Sequence, residues 1–351
     1  MTLSLAHTGG MTAVRLDCDR AVPGGRVLVR GGSGDWSLTL PACTLARIEY
    51  RFEVTWRHRV QRILDPRNPR IVPGVFGPRS VVQREGYAAP GFVSAVPDGV
   101  LDPLLVDGST THPVPVTVWS PTDLDARDTA PLLLVHDGPE YAEYADLLRF
   151  SAHHITSGAL PQHRVALLHP ECRHDWYSGS PGYLETVTGP VLTTLTTRYA
   201  TAAPVVVMGA SLGGLTALLA AFAEPRAAAR IGGVFAQSGS FFTSRTDRQE
   251  HRFRYFPRIA AYVDALARIQ AGDRPLVVGL TCGALEENAA NNRAVAQTLR
   301  RCGHTVSYRE VADLHNYTGW RDSLEPGLLE VLDQVWAGSS AANADKWAAA
   351  H

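Results

Sequence analysis

The stretch Pro204-Val-Val-Val-Met-Gly-Ala-Ser-Leu-Gly-Gly-Leu-Thr-Ala-Leu-Leu-Ala-Ala-Phe222 restricts this chain to few folds. Its β-branched run, Val205 to Val207, reads as a buried strand, and the small-residue run from Leu212 onward reads as a helix. Between them lies Gly209-Ala-Ser211-Leu-Gly213, a Gly-x-Ser-x-Gly pentapeptide on a sharp strand-to-helix turn. Glycines two positions either side of the serine let strand and helix approach without a Cβ in the way. The serine is then held in a strained conformation with its hydroxyl thrust out past the strand's carboxyl end. The helix N-terminus turns its free N–H groups toward any negative charge that develops there. Ser211 is therefore the candidate nucleophile, and the N–H of Leu212 a candidate oxyanion donor.

The chain has two textures. From Thr12 to Val96, short alternating segments (Ala13–Cys18, Gly25–Arg30, Trp36–Leu40, Arg47–Trp56) are separated by Pro/Gly turns, the pattern of a small antiparallel β-sandwich. Asp65-Pro-Arg-Asn-Pro-Arg-Ile-Val-Pro-Gly-Val-Phe-Gly77 is too rich in proline for regular structure and reads as an extended, wrapped segment. From about Thr110 onward the pattern alternates. Strands are predicted at Val114–Trp119, Pro131–His136, Arg164–Leu168, Val205–Met208, Ile231–Gln237, Pro275–Thr281 and Thr305–Val311. Helices are predicted near Tyr141–Ser157, Tyr183–Tyr199, Leu212–Ala223, Pro257–Ala271, Asn288–Arg301 and Trp320–Trp336. Such alternation predicts an α/β fold, a mostly parallel sheet flanked by helices, with ligands at the strands' carboxyl ends. The expected organisation is an N-terminal sandwich over 1–108, a catalytic domain over 109–338, and a frayed Ala-rich tail over 339–351.

At 351 residues and 45% hydrophobic content, the chain can bury two unequal cores. A net charge of −1 gives no basic stripe for nucleic acid or an anionic membrane. No run approaches a membrane span, and the N-terminus has neither a positive leader nor a sustained apolar stretch, so a cytoplasmic location is expected. Cys18, Cys43, Cys172, Cys282 and Cys302 are scattered and odd in number, without metal-ligand spacing. Reduced thiols are expected, with no metal and no cofactor.

A serine hydroxyl needs a base to take its proton, and the base needs a partner to fix its tautomer. On this kind of sheet the expected chain order is serine, acid, histidine. His351 is terminal, His251 lies in a charged run, and His304 follows Gly303 at a helix end, where a histidine caps. His315, in the loop after the last strand, stands where the base belongs. For the acid, Glu286 lies three residues beyond Gly283, just past the strand Pro275–Thr281, a spacing that turns a carboxylate back over the strand tips. Glu287 is the alternative, unless both glutamates serve the following helix dipole and the acid is elsewhere, as at Asp264 or Asp273. The second oxyanion donor is expected from the loop after Leu132–His136. Pro139 has no N–H, whereas Gly138 permits close backbone approach. His136 and Asp137 are read as holding that loop.

With these residues placed, the chain resembles the enterochelin (ferric siderophore) esterase family, within a broader esterase group of α/β-hydrolases that includes carbohydrate esterases and mycolyltransferases. The resemblance covers most of the chain. It rests on His136-Asp-Gly138, Gly209-Ala-Ser-Leu-Gly-Gly214, Gln237-Ser-Gly-Ser-Phe-Phe242, Gly283-Ala-Leu-Glu-Glu-Asn288 with Asn292-Arg293, and His315-Asn-Tyr-Thr-Gly-Trp320-Arg321. It implies an α/β-hydrolase fold preceded by an immunoglobulin-like domain, and cofactor-free hydrolysis of carboxylic esters, the serine esters of catecholate trilactones among them. Two departures stand out. Asp313-Leu314 precedes His315 where the family usually has Gly-Gly, which changes the turn, and no cluster of basic residues marks a catecholate–iron pocket. Arg173, His174, Trp176 and Tyr177, after the strand Arg164–Leu168, are placed to contact a substrate or to form an unselective rim.

The function expected is that of a serine esterase acting on a small-molecule ester through Ser211, His315 and Glu286, with Leu212 and Gly138 holding the oxyanion. The alternatives are an acyltransferase with the same triad, or an inactive scaffold whose sandwich binds a carbohydrate or other ligand. The oligomeric state is not legible.

Overall fold

The computed structural model describes residues 1–19, 21–32, 34–201, 204–223, 230–266 and 275–350. The chain divides into two compact units. The first comprises Met1–Ala88 together with two short excursions, Gly283–Glu287 and Val311–Gly319; the second holds the remainder.

The first unit is built from β1 (Thr2–Leu5), β2 (Met11–Cys18), β3 (Val29–Arg30), β4 (Trp36–Thr39), β5 (Arg47–Trp56), β6 (Arg59–Ile63), β7 (Ile71–Val72) and β8 (Arg79–Gln83). They form two antiparallel sheets, β1-β4-β3 and β2-β5-β8-β7, with β6 paired on β5. Alternate residues of β5 show why a sandwich forms: Ile48, Tyr50, Phe52 and Val54 share one face and are buried. Beside them in the same sheet are Val14 and Leu16, and the same core takes in Leu3, Leu5, Leu28 and Leu40, with Leu314 from the second excursion. The proline-rich segment is pinned by side chains: Tyr50 donates to Asp65 at 2.7 Å, and Asn68 donates to the Val81 carbonyl at 2.9 Å. It is not wholly irregular, since Ile71–Val72 pairs with β8.

The second unit contains β9 (Gly99–Val106), β10 (Val114–Pro121), β11 (Leu132–Val135), β12 (Arg164–Leu168), β13 (Val205–Ala210), β14 (Ile231–Gln237), β15 (Val277–Gly283) and β16 (Thr305–Val311). Their order in one sheet is β16-β15-β14-β13-β11-β12-β10-β9. The strands from β12 through β15 pair in parallel, and β9 and β10 are antiparallel additions at one edge. Every residue of β11, β12 and β13 is buried, as required of parallel strands covered on both faces. The helix Leu212–Phe222 is buried nearly all round, which its run of alanine, leucine and glycine permits.

Several sequence expectations change. β9 pairs with β10 along its whole length, so this sheet begins at Gly99 and not after residue 108. Pro103 obscures that strand, and it is tolerated because β9 is an edge. The helix expected over Tyr141–Ser157 is two, Gly138–Tyr144 and Leu147–Thr156, divided at Asp146 with φ 49°. The last helix is likewise divided. Tyr317–Asp322 precedes Leu324–Ala350, and Glu325, ahead of Pro326, is extended (φ −102°, ψ 128°), as a residue before proline prefers. The helix expected over Pro257–Ala271 is described as Phe256–Leu266; its remaining residues, Asp273 and His351 lie outside the described residues. Among the described residues no helix is long and apolar enough to cross a membrane.

Buried imidazoles give the second unit an acid sensitivity. Burial pushes the pKa of His136 down to about 3 and that of His163 to about 4. His163 is held between the Pro161 carbonyl (2.9 Å) and Ser151 Oγ (3.0 Å). An unfolded chain protonates both below about pH 6.5, whereas the folded chain does not, so their stabilisation is whole above that pH and falls as pH drops toward 4. Each costs about 1.4 kcal/mol per pH unit in that window. Glu49 and Asp313, whose pKa values burial raises, oppose the trend in its lower part. The urea midpoint is expected to fall between pH 7.5 and 5.0, with a shallower slope in His163→Gln; an equal midpoint at the two pH values would contradict this account.

Candidate active site

Ser211 stands between β13 and the helix Leu212–Phe222 with φ 57° and ψ −122°, a conformation that side chains with a Cβ rarely adopt. The crossing explains both glycines: a Cβ on Gly209 would lie 2.5 Å from the Gly213 carbonyl carbon. The strained turn is fixed by the Ser211 N–H to the Gln237 carbonyl (2.9 Å) and by the Ser240 N–H to the Ser211 carbonyl (3.0 Å).

Ser240 adds a contact that sequence reading did not single out: its Oγ lies 3.2 Å from Ser211 Oγ, and it is buried. The loop carrying it is over-determined. Ser238, at φ 49°, accepts from Trp320 Nε1 at 3.0 Å. Asn292 accepts from the Gly239 N–H (3.0 Å) and donates to the Gly239 carbonyl (2.9 Å). Gln237 donates to Ser323 (2.8 Å) and the Trp320 carbonyl (2.9 Å), and it accepts from Tyr141 (2.7 Å). The motif residues around Gln237, Asn292 and Trp320 thus form one buried polar network whose product is a rigid seat for the elbow.

Leu212 and Gly138 each open a helix, so neither N–H has an acceptor within its own helix. The loop bearing Gly138 lies against the elbow, because a Cβ on Gly213 would meet Asp137 Oδ2 and His136 Cβ at 3.3 Å each. Gly138 itself lies so close to β12 that a Cβ would meet Leu167 Cα at 2.4 Å, which excludes any other residue there.

His136 and Asp137 hold this loop, as expected. His136 is fully buried, its Nδ1 is 3.2 Å from Tyr183 OH, and its ring meets Tyr177 edge-on at 5.0 Å. The Asp137 N–H donates to Tyr177 OH at 3.0 Å, and its buried carboxylate takes both Nε (2.8 Å) and Nη2 (2.7 Å) of Arg173.

That arrangement corrects the reading of the loop after β12. Tyr177 is 0% exposed and serves as a wall under the Asp137 turn, out of reach of any substrate. The short helix Arg173–Trp176 turns both aromatics inward, and Trp176 is 2% exposed and stacked on Tyr183 at 4.9 Å. Only an edge of Trp176 reaches a cleft of about 490 Å³, which Arg173, His174 and Tyr255 also line. Arg252 and Arg254 are exposed on the segment that carries Tyr255, in keeping with a solvated charged run around His251.

The candidate base and acid sit in the first unit's excursions. His315 Nδ1 is 2.7 Å from Glu286 Oε2, with the Glu286 side chain 3% and the His315 side chain 32% exposed. Glu286 Oε1 accepts the Gly283 N–H at 2.9 Å, so both carboxylate oxygens are engaged. A carboxylate facing Nδ1 places the proton there and leaves the ring's lone pair on Nε2. Glu287 and Asp264 are exposed. His304 accepts the Leu276 N–H at 3.1 Å, a structural role.

None of the five cysteines forms a disulfide. His153, His154 and Glu325 bring three ligand-type atoms within 4.8 Å of one another, and His154 Nε2 already lies 2.8 Å from Glu325 Oε1.

A mostly parallel sheet with a serine elbow at a strand's carboxyl end defines a class, and residues 108–331 match the family described as "Putative esterase". The chain belongs to that esterase family and is a carboxylic ester hydrolase of α/β-hydrolase fold. The chain is similar to a ferric enterobactin esterase from Salmonella typhimurium, at 20% identity and TM-score 0.76 over 95% of this chain and 93% of that one. The enterobactin esterase from Shigella flexneri, solved in the presence of enterobactin, is similar at 20% identity and TM-score 0.74 over 96% and 92%. A ferulic acid esterase matches at 17% identity and TM-score 0.54 over 67% of this chain and 97% of its own. No curated protein sequence matches the chain significantly.

Proposed function

We propose that this esterase works through an acyl-enzyme on Ser211, with His315 as base and Glu286 as the partner of His315. His315 Nε2 takes the hydroxyl proton as Ser211 Oγ attacks the ester carbonyl, and the amides of Leu212 and Gly138 stabilise the oxyanion. Collapse breaks the ester C–O bond while His315 returns the proton to the leaving alcohol. Water, deprotonated by the same imidazole, then attacks the acyl-serine and releases the acid. The observation that carries this reading is the elbow: a serine at φ 57° between a buried parallel strand and a helix start is held at a cost that a structural serine does not require.

The proposed substrate class is a catecholate trilactone built on serine esters, acted on in the cytoplasm. It is supported by the architecture shared with enterobactin esterases. The test is a side-by-side panel of ferric and iron-free enterobactin, an acetylated sugar and p-nitrophenyl butyrate, with products identified by mass, with and without an added alcohol. The trilactone is expected to open to its linear trimer with the highest kcat/KM, water remaining the acceptor. Turnover of the aryl ester with an untouched trilactone would remove the substrate assignment, and transfer to the alcohol would make the protein an acyltransferase.

A further inference from the structure

We infer that Arg47, on the sandwich strand β5, is a positioning residue for the base loop, acting through the carboxylate of Asp313. The inference rests on the reading of His315 as the base.

Asp313 stands two residues before His315, and it and Arg47 are 4% and 2% exposed. Arg47 donates from Nε at 2.8 Å and from Nη2 at 2.6 Å to Asp313 Oδ2, and Nη2 lies 3.3 Å from Asn316 Oδ1. Asp313 Oδ1 accepts the Leu314 N–H at 2.8 Å and Asn316 Nδ2 at 3.1 Å. Four donors thus fill the roughly four acceptor sites of one carboxylate. Asn316 Oδ1 also takes the Gly319 N–H at 2.8 Å, so residues on both sides of His315 are tied to the same pair. Strand β5 contributes through its backbone as well, the Ala46 N–H donating to the Ala312 carbonyl at 2.6 Å.

Leu314 completes the clamp by entering the sandwich core. The acid side is fixed to the same turn: the Ala284 N–H bonds the Val311 carbonyl at 2.9 Å, and a Cβ on Gly283 would lie 2.2 Å from the Asp313 carbonyl oxygen. This accounts for the departure noted in the sequence. Where the related family turns on Gly-Gly, this chain places one residue that binds Arg47 and one that fills the sandwich, and the turn is set from outside. A buried side chain that aims an imidazole acts on rate, since misplacing a reacting group by about 1 Å costs about 100-fold.

The test compares Arg47→Met, Arg47→Lys, Asp313→Asn and His315→Ala in the full-length protein. The readouts are kcat and KM on p-nitrophenyl butyrate, the pH profile of kcat/KM, and the melting temperature. Arg47→Met is expected to lower kcat by about 30- to 300-fold, with KM within about threefold and a displaced acidic limb of the profile. Arg47→Lys, which keeps the charge but not the fork, should recover at least about tenfold of that loss. Asp313→Asn keeps the volume. Whichever way its amide faces, an NH₂ meets either the guanidinium or the Leu314 N–H, so it should behave like Arg47→Met even if the latter fails to fold. Folded Arg47 and Asp313 variants with wild-type kcat and an unmoved limb, beside an inactive His315→Ala, would overturn the clamp and leave the base assignment standing. An active His315→Ala would overturn both.

Discussion

Ser211→Ala is expected to lower kcat/KM for p-nitrophenyl butyrate by about 10⁴-fold or more, because no other group supplies the attacking oxygen. The fold should survive. The substitution removes one hydroxyl whose neighbour, Ser240 Oγ at 3.2 Å, retains its place through the Ser240 N–H bond to the Ser211 carbonyl. Alanine keeps the Cβ and therefore the strain at φ 57°. Ser211→Gly separates the two effects. It loses the same activity, but it should be more stable than wild type by about 1 kcal/mol, since relief of the left-handed conformation outweighs glycine's entropy in the unfolded chain. Activity, fluorophosphonate labelling and urea unfolding on the three proteins give the check. Labelling that persists in Ser211→Ala would mean the nucleophile is another serine.

The elbow is legible from sequence because everything that makes it is local. A β-branched strand, two glycines and an alanine-rich helix lie within a few residues, and each has one physical reason to be there. Glu286 and His315 are legible by rule, as residues just beyond the ends of β15 and β16. What the sequence conceals is long-range or inward-facing. Arg47 and Asp313 are 266 positions apart, and neither residue type announces a partner. Tyr177 and Trp176 look like a substrate rim because they sit in a polar loop, yet the one-turn helix Arg173–Trp176 rotates both rings into the core. β9 escapes notice because Pro103 argues against a strand and only an edge position tolerates it. The seating of Ser240 on Ser211 depends on Asn292 and Trp320, which reach the loop from elsewhere in the chain.

Glu286→Gln is the second large effect, and its reason is a count of donors. Oε1 accepts the Gly283 N–H and Oε2 faces His315 Nδ1, so this carboxylate is used as an acceptor on both sides. A glutamine offers one oxygen and one NH₂. If the oxygen keeps Nδ1–H, the NH₂ points at the Gly283 N–H, two donors in a buried site, and the turn carrying the side chain is disturbed. If the amide turns over, its NH₂ faces Nδ1. The imidazole proton must then move to Nε2, and the nitrogen that should accept the serine proton no longer has a lone pair. Either way kcat is expected to fall by about 10³- to 10⁴-fold, with KM little changed, because tautomer and orientation matter only when the proton moves. Ser211 should still react with a fluorophosphonate, at a rate reduced in proportion. Glu287→Gln is the control: its side chain is exposed, and activity within about twofold of wild type is expected. Should Glu287→Gln lose the activity and Glu286→Gln retain it, the acid partner of His315 is Glu287, and the 2.7 Å contact between His315 and Glu286 has no part in catalysis.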